Sequence, residues 1–188
     1  MSTAVVIGAG PGIGRAVAAR FAAEGLAVAL IARSADTVKS VGATLPGRVV
    51  PLTADVADEA ALRAPFDQAA TELGPPDVVV HNAAVIRPDA VGELSAAELL
   101  ATFAVNAGSV LTAATHVAPG MAERGRGTFV VTGGMPEPKP EYVSLSIGKA
   151  AVRTVVELLD ATYGPAGVHV APVTVGGPVA PAPRTTPT

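Results

Sequence analysis

The sequence lacks cysteine and is poor in aromatic and charged residues, and each shortage excludes a class of protein. With no cysteine in 188 residues, the chain has no disulfide, thiol nucleophile or cysteine metal site, and we expect a reducing cytoplasmic location. Aromatic residues make up 3% of the chain and the net charge is -3, with no basic run, so we expect neither a nucleic-acid nor an acidic-membrane partner. No metal site is expected either.

Long hydrophobic runs are also absent. No apolar run approaches the roughly 20 residues that span a bilayer, so we expect no membrane helix. The N-terminal apolar stretch has no basic segment before it and breaks at Gly8, so no signal peptide is expected. Hydrophobic residues make up 49% of the chain, as in a globular protein. We expect one domain over residues 1–177 and a flexible tail over residues 178–188, which contain four prolines.

Short aliphatic runs alternate with longer, alanine-rich helical patterns. The runs predict six strands, at residues 4–8, 26–32, 48–54, 76–84, 127–134 and 168–175. The patterns predict five helices, at residues 12–24, 34–44, 58–73, 95–123 and 146–163. The strands are apolar at consecutive positions, which predicts burial on both faces. The alternation indicates an α/β fold with a doubly wound parallel sheet between two helical layers.

A glycine-rich turn connects the first strand to the first helix. In "VVIGAGPGIGRAVA", Gly8, Gly12 and Gly14 fit the pattern Gly-x-x-x-Gly-x-Gly, with Gly10 and Ile13 inside the turn. Glycines let the chain turn tightly and let a pyrophosphate approach the backbone at a helix N-terminus. The turn therefore predicts a dinucleotide site.

The second predicted strand ends at "LIARSAD", which bears on the choice of dinucleotide. Arg33 and Ser34 stand where an acidic side chain would receive the ribose hydroxyls of NAD. An arginine pairs with a 2′-phosphate, whereas an acid repels it. The sequence therefore favours NADP(H) over NAD(H).

Several further motifs resemble those of the short-chain dehydrogenase/reductase family. They are "ADV" (54–56), "HNAA" (81–84), "VNAGSV" (105–110) and "SLSIGKAAVRTVV" (144–156). The resemblance covers about residues 3–176 and implies a Rossmann-type single domain with strand order 3-2-1-4-5-6. It also implies cofactor contacts at Asp55, Val56, Asn82, Ala83 and Lys149.

The resemblance further implies an active site, from which this sequence departs at one position. Family members use a tyrosine as the acid or base and a lysine one helical turn later, but here Leu145 precedes Lys149. Thr132 stands at the position of the family's serine, and Asn106 at that of its helix-embedded asparagine. Tyr142, three residues before Leu145, is the candidate replacement for the acid.

Three hypotheses about function follow. The first is an NADP(H)-dependent oxidoreductase acting on a carbonyl or alcohol, with Tyr142, Thr132 or water in place of the usual acid. The second is non-redox biosynthetic chemistry, such as cyclisation, isomerisation or dehydration, and the third is a non-catalytic NADP(H)-binding or scaffold protein. The apolar residues Val85, Ile86 and Met135 suggest an apolar small-molecule substrate. Helices 95–123 and 146–163 are the predicted homodimer interface.

Overall fold

The computed structural model, which describes residues 2–177 and 179, is built around one parallel sheet of six strands. The strands are β1 (Thr3–Ile7), β2 (Ala27–Ala32), β3 (Val49–Thr53), β4 (Val78–His81), β5 (Gly127–Gly133) and β6 (Val168–Thr174). The main helices are α1 (Ile13–Ala23), α2 (Ala35–Gly42), α3 (Glu59–Leu73), α4 (Ala96–Phe103), α5 (Ser109–Glu123) and α6 (Val143–Tyr163). The strand order is β3-β2-β1-β4-β5-β6, which confirms the predicted Rossmann-type topology.

The sheet is covered more completely at its centre than at its edges. Every residue of β1 is buried, and so is almost all of β2, since apolar clusters form on both faces there. Burial alternates in both edge strands: β3 exposes Pro51 and Thr53, and in β6 Val168 and Val170 are buried while His169 is exposed. The prediction of burial on both faces is therefore wrong for β3 and β6. For β6 the reason is that α5 and α6 pack with its buried side chains in a single cluster on one face.

The predicted helix at 95–123 is interrupted. A π-helical segment, Ala104–Gly108, separates α4 from α5. π-helical turns of this kind often lie at functional sites. Here the segment contains Asn106, whose side chain contacts a neighbouring loop and is described below.

The whole stretch Ala96–Glu123 is long and apolar enough, by length and composition alone, to cross a membrane. Its buried side chains, including Val110, Val117 and Met121, belong to the cluster beneath the sheet. One face of the stretch is therefore packed against the sheet. The run-length argument missed this stretch because its polar residues are dispersed through it.

The final long helix, α6, begins three residues earlier than predicted, at Val143 rather than 146. Tyr142, at its N-cap, makes no side-chain capping bond. The cap comes from Asp89, whose buried carboxylate accepts hydrogen bonds from the Ser144 amide (3.0 Å) and the Ser144 hydroxyl. Because this partner lies 55 residues away in the chain, the local pattern could not show where the helix begins.

The predicted tail, residues 178–188, lies outside the described residues except for residue 179. The tail and the domain boundary at residue 177 stay predictions.

Candidate active site

A cleft of about 560 Å³ lies at the carboxyl ends of the central strands. Five segments form the described lining: the glycine turn, the loops after β4 and β5, the first turns of α6 and the segment after β6. The lining residues are Gly10, Gly12, Ile13, Gly14, Asn82, Ala84, Ile86, Thr132, Gly133, Gly134, Met135, Pro136, Lys139, Tyr142, Leu145, Lys149, Val175, Gly176, Gly177 and Val179. The carboxyl ends of strands are where ligands bind in open parallel sheets. The structure therefore brings the predicted glycine turn and most of the predicted catalytic positions to one cavity.

The glycines of the turn serve two different purposes. Gly8 has a φ of +78°, and a Cβ there would lie 2.5 Å from the Ala83 amide nitrogen. A Cβ at Gly14 would lie 2.3 Å from the Gly8 carbonyl oxygen. By contrast, a Cβ added at Gly10 or Gly12 would meet nothing within 4 Å. Gly8 and Gly14 are thus required for packing, whereas Gly10 and Gly12 leave the cleft open beside the N-terminus of α1.

Asn82 links the two sides of the cleft. Its side-chain amide donates to the Gly8 carbonyl at 3.0 Å, and its oxygen accepts from the Thr132 hydroxyl at 3.0 Å. The Thr132 proton is therefore already engaged, and its hydroxyl oxygen remains available as an acceptor. In this arrangement Thr132 can orient a substrate hydroxyl but is poorly placed to donate a proton to a carbonyl oxygen.

Lys149 lies in the wall of the cleft, on α6. Its side-chain amine donates to the Thr132 carbonyl oxygen at 2.6 Å, and the residue is only 7% exposed. Leu145, one helical turn earlier, is also buried and lines the same wall. Burial lowers the pKa of the Lys149 amine from its ordinary value of 10.5.

Tyr142 lines the cleft from the position just before α6. It stands where the loop after β5 joins this helix. Lys139 lines the cleft as well, although its charge reads as an ordinary solvated one in the sequence. Its backbone amide donates to the Ser146 hydroxyl at 3.0 Å, and its carbonyl accepts from the Tyr142 amide. The loop is thereby attached to the first turns of α6.

Asn106 does not line the cleft. It is buried behind it, and its side-chain amide bonds both the amide and the carbonyl of Val85, at 2.7 and 3.2 Å. Gly148 lets α6 approach closely at this point, since a Cβ there would lie 2.8 Å from the Asn106 Cβ. Asn106 therefore positions the loop after β4, and both polar groups of its side chain are engaged in doing so.

His81 is buried at the end of β4 and is likewise absent from the cleft lining. Its Nε2 lies 2.8 Å from the Ser109 hydroxyl, which donates to the Val105 carbonyl, so Nε2 carries the hydrogen. Burial, followed by the charge of Lys149, lowers the pKa of His81 to about 3. A histidine that stays neutral and buried is a poor proton donor to a substrate.

The remaining predicted cofactor residues lie outside this cavity. Ser34 caps α2 by accepting from the Thr37 amide at 3.3 Å, and Arg33 beside it is exposed. Asp55 is exposed and accepts from the Ala57 amide at 3.0 Å. Val56 is buried and Ala83 is half-buried. Arg33, Ser34 and Asp55 follow β2 and β3, so an elongated ligand starting at the glycine turn would run toward them along the strand ends.

The segment after β6 is a wall of the cleft that the sequence did not indicate. Val175, Gly176, Gly177 and Val179 line it, so the chain after the last strand narrows the opening. The signal was weak because the glycines and the following prolines read only as a turn into a tail.

Comparison with known proteins shows which family the chain belongs to. A family model described as short chain dehydrogenase matches residues 2–185. The chain belongs to the short-chain dehydrogenase family. Its relatives include a glucose 1-dehydrogenase from Gluconobacter oxydans, 33% identical over 94% of this chain and 69% of that protein. A D-threitol dehydrogenase from Mycolicibacterium smegmatis is 31% identical over 89% of this chain and 66% of its own length.

Solved structures of short-chain dehydrogenases superpose closely. A 7α-hydroxysteroid dehydrogenase complexed with NADH and 7-oxo glycochenodeoxycholic acid matches with a TM-score of 0.87 at 26% identity, covering 92% of this chain and 69% of that one. Members of this family are oxidoreductases that use a nicotinamide cofactor. The chain shares this fold over almost its whole described length.

The residues present fit such a cofactor. The open space at Gly10 and Gly12 lies beside the N-terminus of the eleven-residue helix α1, whose first amides have no partner within the helix. No group of three or more potential metal ligands occurs within residues 2–177. The absence of a metal requirement stays a prediction for this protein.

Proposed function

We propose that the protein is an NADP(H)-dependent oxidoreductase that acts on a small carbonyl or alcohol substrate with a non-standard active site. One observation supports this most: a single cleft is lined by the glycine turn and by Thr132, Tyr142 and Lys149, with Leu145 in the acid's position. When bound, the cofactor supplies or accepts hydride.

The chain's own residues would bind the cofactor along the strand ends. The amides of the glycine turn and of the first turn of α1 would receive the pyrophosphate. Arg33 would pair with a 2′-phosphate, which is the basis for favouring NADP(H). Asp55, Val56, Asn82 and Ala83 would form the side of the site nearest the adenosine and ribose, as the family resemblance implies.

The substrate would lie between Lys149 and Tyr142. Leu145 has no proton to donate, and the Thr132 proton is bonded to Asn82. The Tyr142 phenol is therefore the proposed donor, and the Thr132 oxygen would accept a hydrogen bond from the hydroxyl of an alcohol substrate. The apolar lining at Ile86 and Leu145 favours a substrate with an apolar body.

Loss of a general acid typically costs roughly 10²–10⁴-fold in rate. We therefore expect slow turnover with ordinary ketones and faster turnover with activated ones. The experiment is to titrate the protein with NADPH and then to follow oxidation of NADPH with a series of carbonyl compounds. NADPH binding with measurable turnover supports the proposal, and failure to bind NADPH or NADH contradicts it.

The role of Tyr142 needs a matched pair of variants. Tyr142→Phe keeps the ring and removes the hydroxyl, so it should lower kcat while leaving NADPH binding unchanged. Tyr163→Phe, at the other end of α6, is the control. If both variants keep wild-type turnover, Tyr142 is not the donor.

We further propose a homodimer formed through the long helices. Large apolar side chains are exposed on both: Leu100 and Leu111 on α4 and α5, and Ile147 and Leu158 on α6. Pairing these helices with those of a second copy would bury the four side chains. Sedimentation of the wild-type protein and of Leu111→Glu tests this, since a dimer should dissociate in the variant.

A further inference from the structure

Lys149 differs from the other lysines of the chain in its surroundings. The sequence contains three lysines, Lys39, Lys139 and Lys149. The first two are exposed, whereas Lys149 is buried in the cleft wall. It is thus the buried amine of a cavity large enough for a small molecule.

The environment of this amine makes its charged form costly. Among the described residues no carboxylate pairs with it, and its hydrogen-bond partner is the Thr132 carbonyl oxygen. Leu145 places an apolar side chain, only 4% exposed, one turn away. An ammonium ion without a counter-ion is costly in such a place, and burial accordingly lowers the pKa of the amine.

We propose that Lys149 is a nucleophile that condenses with an aldehyde or ketone of apolar body in the cleft, forming an imine. Desolvated lysines in apolar pockets are activated for this chemistry. Leu145 stands where the family's acid is expected, and under this proposal its side chain excludes water from the Lys149 amine. This activity goes beyond the proposed oxidoreductase function and requires no bound dinucleotide.

The reaction balances with groups already in the cleft. The lone pair of the neutral Lys149 amine attacks the carbonyl carbon, a C–N bond forms, and the carbonyl oxygen gains the proton that the nitrogen loses. The carbinolamine then loses its hydroxyl and its remaining N–H proton together as water, and the C–N bond becomes the C=N bond of the imine. The Tyr142 phenol lines the same cleft and is available to protonate the departing hydroxyl. No oxidant or reductant is consumed.

The test is reductive trapping with benzaldehyde in the absence of any nicotinamide cofactor. Cyanoborohydride reduces the imine to a stable benzylamine, and peptide mass spectrometry measures labelling at each lysine and at the chain's α-amino group. Ordinary lysine amines are protonated near neutral pH and condense slowly. We expect Lys149 to be labelled about tenfold faster or more than Lys39 and Lys139. Equal or slower labelling of Lys149 would overturn the proposal.

A pair of α6 variants tests the part assigned to Leu145. Leu145→Asn brings a polar group and water to the amine and should slow labelling of Lys149 by about tenfold, because the ammonium form is then better solvated. Leu158→Asn makes the same change at an exposed position of the same helix and should leave the rate unaltered. The labelling rate of exposed Lys39 is the internal control and should be the same in both variants. Equal Lys149 rates in the two variants would overturn the role of Leu145.

Discussion

The two sides of the cleft are built by different means. On the β1 side, the turn Gly8–Gly14 is shaped by its own glycines, and the strands around it are buried on both faces. On the β5 side, the start of α6 is held by Asp89 from a distant loop, and the edge strand β6 is covered on one face. The first side contains the predicted glycine turn, while the second has Leu145 where the proton donor is expected. Under the proposed function, we predict that dinucleotide binding and proton transfer can be changed separately.

The largest expected effect comes from substituting a closely packed glycine of the turn and comparing it with a glycine that faces open space. Gly8→Ala puts a Cβ 2.5 Å from the Ala83 amide at a φ of +78° and should cost about 3 kcal/mol or more in the free energy of unfolding. Gly10→Ala, whose Cβ meets nothing within 4 Å, should cost under about 1 kcal/mol but weaken NADPH binding at least about tenfold. Thermal unfolding and calorimetric titration measure both. A Gly10→Ala variant with normal binding would show that the ligand does not approach this turn.

The next largest effect tests the opposite side of the cleft. Asp89→Ala removes the cap of α6 and leaves the Ser144 amide and hydroxyl without their partner, which should cost about 2 kcal/mol. Chemical unfolding of Asp89→Ala, Ser144→Ala and the double variant measures the coupling between the two residues. The double variant should be little worse than Asp89→Ala alone. Simple additivity of the two losses would mean that the contact does not hold the helix.

The choice of cofactor gives a smaller, purely electrostatic effect. Arg33→Asp should weaken NADPH binding by about tenfold or more and improve NADH binding, since the acid repels a 2′-phosphate and can accept from ribose hydroxyls. Arg48→Asp is a matched control with the same change of charge after α2. Equal losses of NADPH affinity in the two variants would mean that Arg33 acts only through the overall charge of the protein and does not contact the 2′-phosphate.

The last effect depends on pH and concerns the buried histidine between the two sides. In the folded state the pKa of His81 is lowered from 6.5 to about 3. Between these two pH values, His81 therefore binds a proton in the unfolded chain but not in the folded chain. The stability that neutral His81 contributes is present above pH 6.5 and is lost as the pH falls toward 3. The slope is at most about 1.4 kcal/mol per pH unit. His81→Asn should flatten the acid limb of stability against pH, and His169→Asn, at an exposed site, should not.

The sequence predicted the features that local patterns determine. The glycine turn follows from residues close together in the chain, whereas the strand order and the departure at Leu145 come from the family resemblance, and the structure confirms the topology. The start of α6 was predicted wrongly because it depends on Asp89, and the π-helical break before α5 was missed. The cleft positions of Lys139 and Val175 depend likewise on where loops from different strands meet.

The most direct test of the account is to restore the proton donor and ask which property changes. NADPH affinity and carbonyl reduction are measured side by side for wild type, Leu145→Tyr and the control Leu145→Phe, which has the ring without the hydroxyl. If the two sides of the cleft are separable, all three proteins bind NADPH with similar affinity, and turnover rises roughly 10²-fold only in Leu145→Tyr. A wild-type protein that binds no nicotinamide dinucleotide, or a Leu145→Tyr variant with no gain in turnover over Leu145→Phe, would contradict the account.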